Sequence, residues 1–322
     1  CFVMLCPPQK MIEFRFSRVW QGLLIILTLA FLLRFVELTH LPPGFHVDET
    51  GSVDFALRHV FNPLNRGQTI NPFRTGSDSQ PILFYYVLRL GVGLFGFTIV
   101  GARMSGVLVG TLAVAAVFFM MNEIAGRRMA WLTALLMAVY HYHIHWSRIA
   151  LNNIWVTLLI PLTLGFFLIG LRKNWSGGAV LAGLCLGFTS YFYAGGYIVI
   201  LLLPILMWQA WKKTNDHIRL TIYFGKILAL ALVVAAPLIV FALHFPDQFF
   251  DRSGIIYGWN PQAIQATVGN PTAYWEHFII QVSHSFGAYN YFPDSTGFYA
   301  PGVPLLIGYA SVLFLWGIAW AL

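Results

Sequence analysis

Two neighbouring carboxylates, Asp48 and Glu49, stand directly after the first long apolar segment of the sequence. Only 10% of the 322 residues are charged, so an adjacent acid pair at this position is unusual. A carboxylate held beside a substrate can take the proton from an attacking hydroxyl group. A solvated loop pair or the cap of a helix is the alternative. The prolines and aromatic residues around the pair favour the catalytic interpretation.

Three arginines are candidate partners of these acids. Arg103 lies at the head of the second long apolar segment, Arg148 lies at a junction between two others, and Arg252 lies in the last long polar stretch. Guanidinium groups can neutralise a departing phosphate, and they bind it bidentately where the geometry allows. The alternative for Arg103 and Arg148 is that they reach from an apolar helix to the membrane surface. A carboxylate beside cations predicts a site for an anionic substrate.

The run His141-Tyr142-His143-Ile144-His145 raises the question of a metal site. On a helix, His141 and His145 share one face, whereas His143 points elsewhere. A zinc site also usually needs further ligands nearby. The sequence contains no Gly-rich phosphate loop, CxxC pair or HExxH motif. We therefore predict histidines at the membrane boundary, with neither a metal nor another cofactor.

The composition is that of a polytopic helical membrane protein. Hydrophobic residues make up 58% of the chain and aromatic residues 16%, and the mean hydropathy is +0.70. Placing a charge inside the hydrocarbon core costs free energy, and most charged residues of this chain lie between the apolar runs. The net charge of +7 reflects lysines and arginines in short loops, which orient a membrane protein, and does not indicate nucleic-acid binding. Three cysteines do not make a disulfide framework.

Basic residues decide the predicted topology, because they mark the cytoplasmic side of a membrane. Lys10, Arg15 and Arg18 precede the first apolar segment, so the loop after it is predicted to be external. Segment 82–97 is too short to cross the membrane and is predicted to lie along its outer surface. This arrangement places the later basic loops on the cytoplasmic side. Residues 49–61 are predicted to form a short interfacial helix. We expect one all-α transmembrane domain over residues 1–322, with spans at about 19–38, 100–122, 129–146, 152–171, 177–195, 196–211, 221–243 and 299–321, a tight outer turn at 194–196, and external loops at 39–99 and 244–298.

Several segments taken together resemble the glycosyltransferase family 39 group, which includes protein O-mannosyltransferases and the aminoarabinose transferases that modify lipid A. The segments are GFHVDE after the first span, SQPILFYYVL, GARMSGVLVGTLAVAAVFFM, the GRR turn and HIHWSRIALNN. The resemblance covers roughly residues 15–255 and rests on their order and spacing, since no single segment is specific. It implies the N-terminal transmembrane module of the GT-C fold, with an external loop that carries interfacial helices.

The resemblance implies an inverting transferase that moves a sugar from a polyprenyl phosphate to an acceptor. The first external loop carries the catalytic acid in this family, which matches Asp48 as general base, with Glu49 beside it as in the mannosyltransferase pattern. Family members often have Lys-Pro-Pro where this chain has Gln80-Pro81-Ile82, and often an aspartate where it has Asn152-Asn153. The expected catalytic residues are Asp48 and Glu49, the expected donor-phosphate ligands are Arg103, Arg148 and Arg252, and the expected substrate-binding residues are Gln80, Tyr85, Asn152, Tyr191 and Tyr193.

The resemblance further implies that no nucleotide or metal is obligatory. The expected partners are a polyprenyl-phosphate sugar donor, a protein, lipid or glycan acceptor, and membrane lipids. The enzyme would act on the external or periplasmic side of the plasma (cytoplasmic) membrane, and the C-terminal part of the family is expected to be missing. A transporter or flippase of lipid-linked glycans is one alternative, although it would place charges near the midplane of its spans. A non-catalytic membrane scaffold is the other.

Overall fold

The computed structural model describes residues 16–60, 81–247, 249, 261–293, 299 and 302–321. Within these residues the regular secondary structure is helical, and the helices divide between two compact units, which meet in the sequence at His244 and Phe245. The first unit contains α1 (Phe16–Phe35), α2 (Val47–His59), α3 (Leu83–Phe95), α4 (Ile99–Ile124), α5 (Arg127–Val139), α6 (His141–Ser147), α7 (Ile154–Lys173), α8 (Ser176–Thr189), α9 (Ile198–Trp211) and α10 (His217–His244). The second contains α11 (Pro261–Val268), α12 (Tyr274–Gly287) and α13 (Tyr309–Ala321).

Three helices in the described part of the chain are long and apolar enough to cross a membrane. They are α4, α7 and α10, with 26, 20 and 28 residues. A helix needs about 20 residues to cross a hydrocarbon core ~30 Å thick. The structure therefore confirms the predicted all-α polytopic membrane fold, while the assignment of individual spans remains a prediction. Shorter apolar helices occur at Val19–Phe35, Leu83–Phe95, Ser176–Thr189, Gly195–Trp211 and Tyr309–Ala319.

Two of the predicted spans coincide with interrupted helices. Span 129–146 corresponds to α5 and the short α6, which are separated at Tyr140, where the backbone is extended. The boundary predicted at residues 195 and 196 falls inside a 3-10 helix, Ala194–Tyr197, which leads into α9. α8 ends earlier, at Thr189, and the chain turns over residues 190–193. A 3-10 turn often begins an α-helix, and glycines are compatible with it, so the glycine pair marks the start of α9.

α2 and α3 occupy the first predicted external loop, and each has 13 residues. α2 buries Val53 and Ala56, and Val60 directly after it is also buried, which confirms the short helix predicted from the spacing of these residues. α3 is about 20 Å long, which is shorter than a hydrocarbon core and in keeping with the interfacial position that the sequence predicts. Both helices contribute to one apolar cluster, in which Val53 of α2 and Leu88 of α3 are buried.

α4 is the helix around which the first unit packs, because α1, α3, α5, α6 and α7 all contact it. Glycines on α4 allow these neighbours to come close. A β-carbon added at Gly106 would lie 2.9 Å from the carbonyl oxygen of Ser147, and one added at Gly101 would overlap the carbonyl oxygen of Gly96. Small residues permit such backbone approach where helices meet in membranes. The segment that follows α6 is thereby held against α4, one turn from Arg103.

α8 packs against α7 and α10 in a similar way. A β-carbon added at Gly178 would lie 2.6 Å from the Cα atom of Gly170 on α7. One added at Gly183 would lie 2.7 Å from the carbonyl oxygen of Ile227 on α10. Because the obstacles are backbone atoms, a larger side chain at either position requires the helices to separate.

We predict that Gly183→Ala lowers the stability of the protein by about 1–3 kcal/mol, since the methyl group would force α8 away from the backbone of α10. Gly225→Ala is the matched control, because Gly225 is an exposed glycine of α10 with no atom near its β-position. The control should be neutral or slightly stabilising, since alanine favours a helix over glycine by about 1 kcal/mol. Thermal unfolding of both variants in detergent measures the difference. Equal melting temperatures would show that the α8–α10 contact is not tightly packed.

Candidate active site

The first turn of α2 carries both acids of the predicted site. His46 precedes the helix in an extended conformation, and its Nδ1 accepts a hydrogen bond from the N–H of Asp48 at 3.1 Å. In return, the N–H of His46 donates to Oε2 of Glu49 at 3.0 Å. This reciprocal cap satisfies N–H groups that the helix itself leaves without partners. The cap therefore fixes the first turn of α2 and, with it, the directions in which the side chains of Asp48 and Glu49 point.

Glu49 is fully buried and forms an ion pair with Arg103 of α4. Its Oε1 accepts from Nε of Arg103 and its Oε2 from Nη2, both at 2.9 Å. Oε1 also accepts from the N–H of Ala150 at 2.8 Å. With the bond from His46, the carboxylate accepts four hydrogen bonds, which fill its acceptor positions. Glu49 thus joins the start of α2 to α4 and to the segment between α6 and α7.

Arg103 uses all five of its N–H groups within the protein. Besides the two that bind Glu49, Nη1 donates to the carbonyl oxygens of Leu38 and Pro42, both at 3.2 Å, and Nη2 donates to that of Gly44 at 2.7 Å. The residue is 1% exposed. A substrate phosphate would have to displace one of these partners. The contacts therefore favour a role for Arg103 in holding the loop between α1 and α2 over direct contact with an anion.

Arg148 holds the same loop from the segment after α6. Its Nε and Nη2 donate to the carbonyl oxygen of Leu41 at 3.1 and 2.9 Å, and its Nη1 donates to that of Leu33 at 2.9 Å. These bonds use three of five N–H groups within the described part of the chain, so two can serve a ligand. Burial lowers the pKa of Arg148 and the nearby Arg103 lowers it further, whereas Glu37 opposes both, and the guanidinium remains charged.

Arg34 of α1 is buried, and no carboxylate among the described residues pairs with it. It donates to the carbonyl oxygens of residues 137 and 138 at the end of α5, at 3.2 and 3.0 Å, and to Oγ of Ser147 at 3.2 Å. Its Nη2 lies 2.8 Å from Nδ1 of His143, whose Nε2 lies 3.0 Å from Oγ1 of Thr157. Arg34 therefore stabilises the break between α5 and α6, and with it the segment that carries Arg148.

Three buried guanidinium groups lie along α4 between the start of α2 and the break after α5. Arg34, Arg103 and Arg148 are 0%, 1% and 7% exposed, and Glu49 is the carboxylate buried among them. Three guanidinium groups against one buried carboxylate leave an excess of two positive charges among the buried groups, which the exposed Glu37 near Arg148 partly offsets. Such a cluster in a poorly hydrated region attracts an anion to the adjacent surface.

Asp48 differs from Glu49 in being exposed to solvent. Within the described part of the chain its carboxylate accepts no hydrogen bond, whereas that of Glu49 accepts four. Neighbouring positions on a helix point about 100° apart, which explains why one acid faces the protein and the other faces outward. Of the two expected catalytic acids, Asp48 is the one that a substrate can reach.

Three of the expected substrate-binding residues make contacts within the protein. Tyr85 is 3% exposed and belongs to the apolar cluster of α2 and α3. The hydroxyl of Tyr191 donates to the carbonyl oxygen of Val234 at 2.7 Å, and Nδ2 of Asn152 donates to that of Phe192 at 2.8 Å. The last two contacts join the turn after α8 to the segment before α7 and to α10. Their proposed contact with substrate remains a prediction.

The remaining candidates give less information. Tyr193 is 40% exposed in the turn after α8. Gln80 and Arg252 lie outside the described residues. No group of three or more His, Cys, Asp and Glu side chains that could hold a metal occurs in the described ranges. His143, the middle histidine of the 141–145 run, is buried against Arg34.

Comparison with known families identifies the chain. Residues 79–241, just over half of its length, match the family described as dolichyl-phosphate-mannose-protein mannosyltransferase. The chain belongs to this family. The match confirms the resemblance drawn from the sequence, and it includes Tyr85, Arg103 and Arg148 but begins after the acid pair. None of the curated proteins matches the chain.

The fold of this family member is similar to that of the crystallised oligosaccharyltransferase of Archaeoglobus fulgidus, whose structure contains zinc and sulfate. The TM-score is 0.52 at 14% sequence identity, over 83% of this chain. The chain spans 40% of the length of that protein. The likeness supports the predicted GT-C fold.

Sequence reasoning missed two features of the site. Arg34 lies inside the predicted first span. A charged residue at such a position indicates a buried contact with other groups, because a charge in hydrocarbon needs partners. The pairing of Glu49 with Arg103 has no such indication in the sequence, since the two residues are 54 positions apart and meet only in the tertiary structure, where the first turn of α2 lies beside Arg103 of α4.

We predict that Glu49→Gln destabilises the protein by about 3–5 kcal/mol, because it leaves the buried Arg103 without a counter-charge. Asp48→Asn is the matched control, since it makes the corresponding change one residue earlier on an exposed side chain. The control should melt close to the parent protein. Thermal unfolding in detergent, followed by the loss of the monodisperse peak in size-exclusion chromatography, measures both. If the two variants melted at the same temperature, the ion pair would not be a main determinant of stability.

Proposed function

We propose that this protein is an inverting glycosyltransferase that moves a sugar from a polyprenyl-phosphate donor to an acceptor at the outer face of the membrane. The observation that carries the proposal is an exposed carboxylate, Asp48, held at the edge of a buried cluster with excess positive charge. Transfer from a sugar phosphate needs a base for the acceptor hydroxyl and a positive environment for the departing phosphate. The first turn of α2 and the arginines near it offer a candidate for each requirement.

Asp48 is the general base in this proposal. The acceptor oxygen attacks the anomeric carbon from the side opposite the phosphate, its proton passes to the Asp48 carboxylate, and the carbon–oxygen bond to the phosphate breaks with its electron pair leaving on the phosphate. One displacement of this kind inverts the configuration of the anomeric carbon. Glu49 is unsuited to the task, because its oxygens are occupied by four donors and its side chain is buried. We assign to Glu49 the positioning of α2.

Arg148 is the described residue best suited to the donor phosphate, because two of its N–H groups remain for a ligand. We propose that Arg103 contributes through its charge and by holding the loop between α1 and α2, since all five of its N–H groups are occupied. Arg252 remains a proposed further ligand outside the described residues. Tyr193, which is exposed, is proposed to contact the sugar or the acceptor.

The family description names the substrates to be tested first. Dolichyl-phosphate mannose, a polyprenyl-type phosphate sugar, is the donor named in it, and protein is the acceptor. A lipid or glycan acceptor is the second possibility. The proposed reaction uses no metal and no nucleotide.

We predict that Asp48→Asn reduces the rate of transfer at saturating donor by ~10²–10⁴, the usual contribution of a general base. The assay follows release of polyprenyl phosphate from polyprenyl-phosphate mannose by the protein in lipid nanodiscs, with and without acceptor peptide. Asp54→Asn is the matched control, because Asp54 is an exposed acid of the same helix that pairs with Arg58. The control should keep normal turnover.

Two outcomes of this assay would contradict parts of the proposal. Normal turnover of Asp48→Asn, with an inactive but stably folded Glu49→Gln, would move the base by one residue. Normal turnover of both variants would exclude the proposed mechanism. Translocation of the donor without its cleavage by the parent protein would favour a flippase.

We further propose that the loop carrying α2 and α3 is external and that the turn before α5 is cytoplasmic. The basic residues between apolar segments motivate this orientation. We expect an impermeant maleimide added to intact cells to label Arg58→Cys on α2 and to label Arg127→Cys only after permeabilisation. Both residues are exposed, and the background replaces Cys1, Cys6 and Cys185. Labelling of both sites in intact cells would refute the orientation.

A further inference from the structure

α12 exposes its apolar side and buries a histidine on the opposite side. Five apolar residues fall within an arc about 100° wide when successive residues are set 100° apart around the helix axis. All five are exposed, from 36% for Val282 to 77% for Trp275. We call these residues the apolar arc of α12. They are Trp275, Phe278, Ile279, Val282 and Phe286.

The opposite side of α12 faces its own unit. His277 on that side is 2% exposed, and Ile280 is half-buried. His284, also on that side, is exposed and stacks on Phe292 with ring centroids 4.4 Å apart. Neither ring nitrogen of His277 has a hydrogen-bond partner within the described residues. Burying an imidazole while five large apolar side chains face outward is unfavourable if the outside is water. The arrangement is favourable if the outside is apolar.

Aromatic side chains with polar tips stand at both ends of α12. Tyr274 and Trp275 stand at the start of α12, and Tyr289 and Tyr291 follow its end, and all four are exposed. Tyrosine and tryptophan concentrate where hydrocarbon meets water, since one end of each ring system is apolar and the other forms hydrogen bonds. The flanking residues therefore fit a helix that lies at this boundary.

The end of α12 is fixed to the start of α13. The N–H groups of Leu305 and Leu306 donate to the carbonyl oxygens of Ala288 and Tyr289, both at 2.9 Å. The ring of Tyr289 also stacks on Phe314 at 5.1 Å. α13 contains no charged residue, and most of its described apolar side chains are exposed, as expected for side chains that contact lipid. The contacts hold the end of α12 at the level where α13 begins.

We propose that the apolar arc of α12 is a lipid-contact surface and that α12 lies along the membrane interface with this arc inserted among the acyl chains. The helix has 14 residues and is about 21 Å long, too short to cross the hydrocarbon core. Glu276 and Ser283, which flank the arc, are exposed and polar, as expected for a helix parallel to the surface. The partner is bilayer lipid, and the inference does not depend on the proposed reaction.

Site-directed spin labelling of the cysteine-replaced chain in lipid nanodiscs tests the proposal. Single cysteines replace Ile279 and Phe286 in the arc and, as matched controls on the same helix, Glu276 and Ser283. Power saturation compares collisions with oxygen, which concentrates in lipid, and with a water-soluble nickel chelate. We expect a positive depth parameter, with oxygen collisions dominant, at Ile279 and Phe286, and a negative one at Glu276 and Ser283.

The other outcomes would overturn the proposal. Dominant nickel collisions at the arc positions would place the arc in water. An immobile label with few collisions of either kind would show that protein covers the arc, either the rest of this chain or a second copy. Dilution with unlabelled protein distinguishes these two, because the spin–spin broadening between copies disappears.

Discussion

The buried ion pair between Glu49 and Arg103 is the interaction on which the candidate site depends. Removing two charges from water is costly, and the mutual attraction compensates only when the remaining hydrogen-bonding positions are filled. Here the carboxylate accepts four hydrogen bonds and the guanidinium donates five. The partners lie in α4, at the start of α2, in the loop before it and before α7. The pair therefore determines how four segments meet.

The buried arginines donate hydrogen bonds to backbone carbonyl groups as well as supplying positive charge. Carbonyl groups in irregular segments near a membrane have little access to water and need donors from the protein. Arg103 and Arg148 supply these donors to the loop between α1 and α2, and Arg34 supplies them to the end of α5. A guanidinium group is suited to this, since its five N–H groups spread in a plane. The same groups leave positive charge in excess of the Glu49 carboxylate buried among them.

This arrangement separates the functions of two neighbouring acids. Glu49 is buried and holds α2, so its charge is neutralised locally by Arg103. Asp48 is exposed beside this cluster, and we propose that it takes the proton of the acceptor hydroxyl group. A rigid support for a reactive group lowers the cost of orienting it, which is the general advantage of placing such groups on fixed helices. The proposed transfer reaction uses both properties.

The sequence by itself determined the membrane class, the family resemblance and the place of the acid pair. Its hydrophobic runs are long, and the spacing of Val53, Ala56 and Val60 repeats with the helical period, so local patterns were sufficient for these features. The tertiary structure decided which acid is buried and that Arg103 has no donor left for a phosphate. It also decided that Arg34, within an apolar segment, supports the break after α5. These features depend on contacts between residues that are 54 to 113 positions apart in the sequence. The position of a side chain around its helix does not show what it contacts until the neighbouring segments are in place.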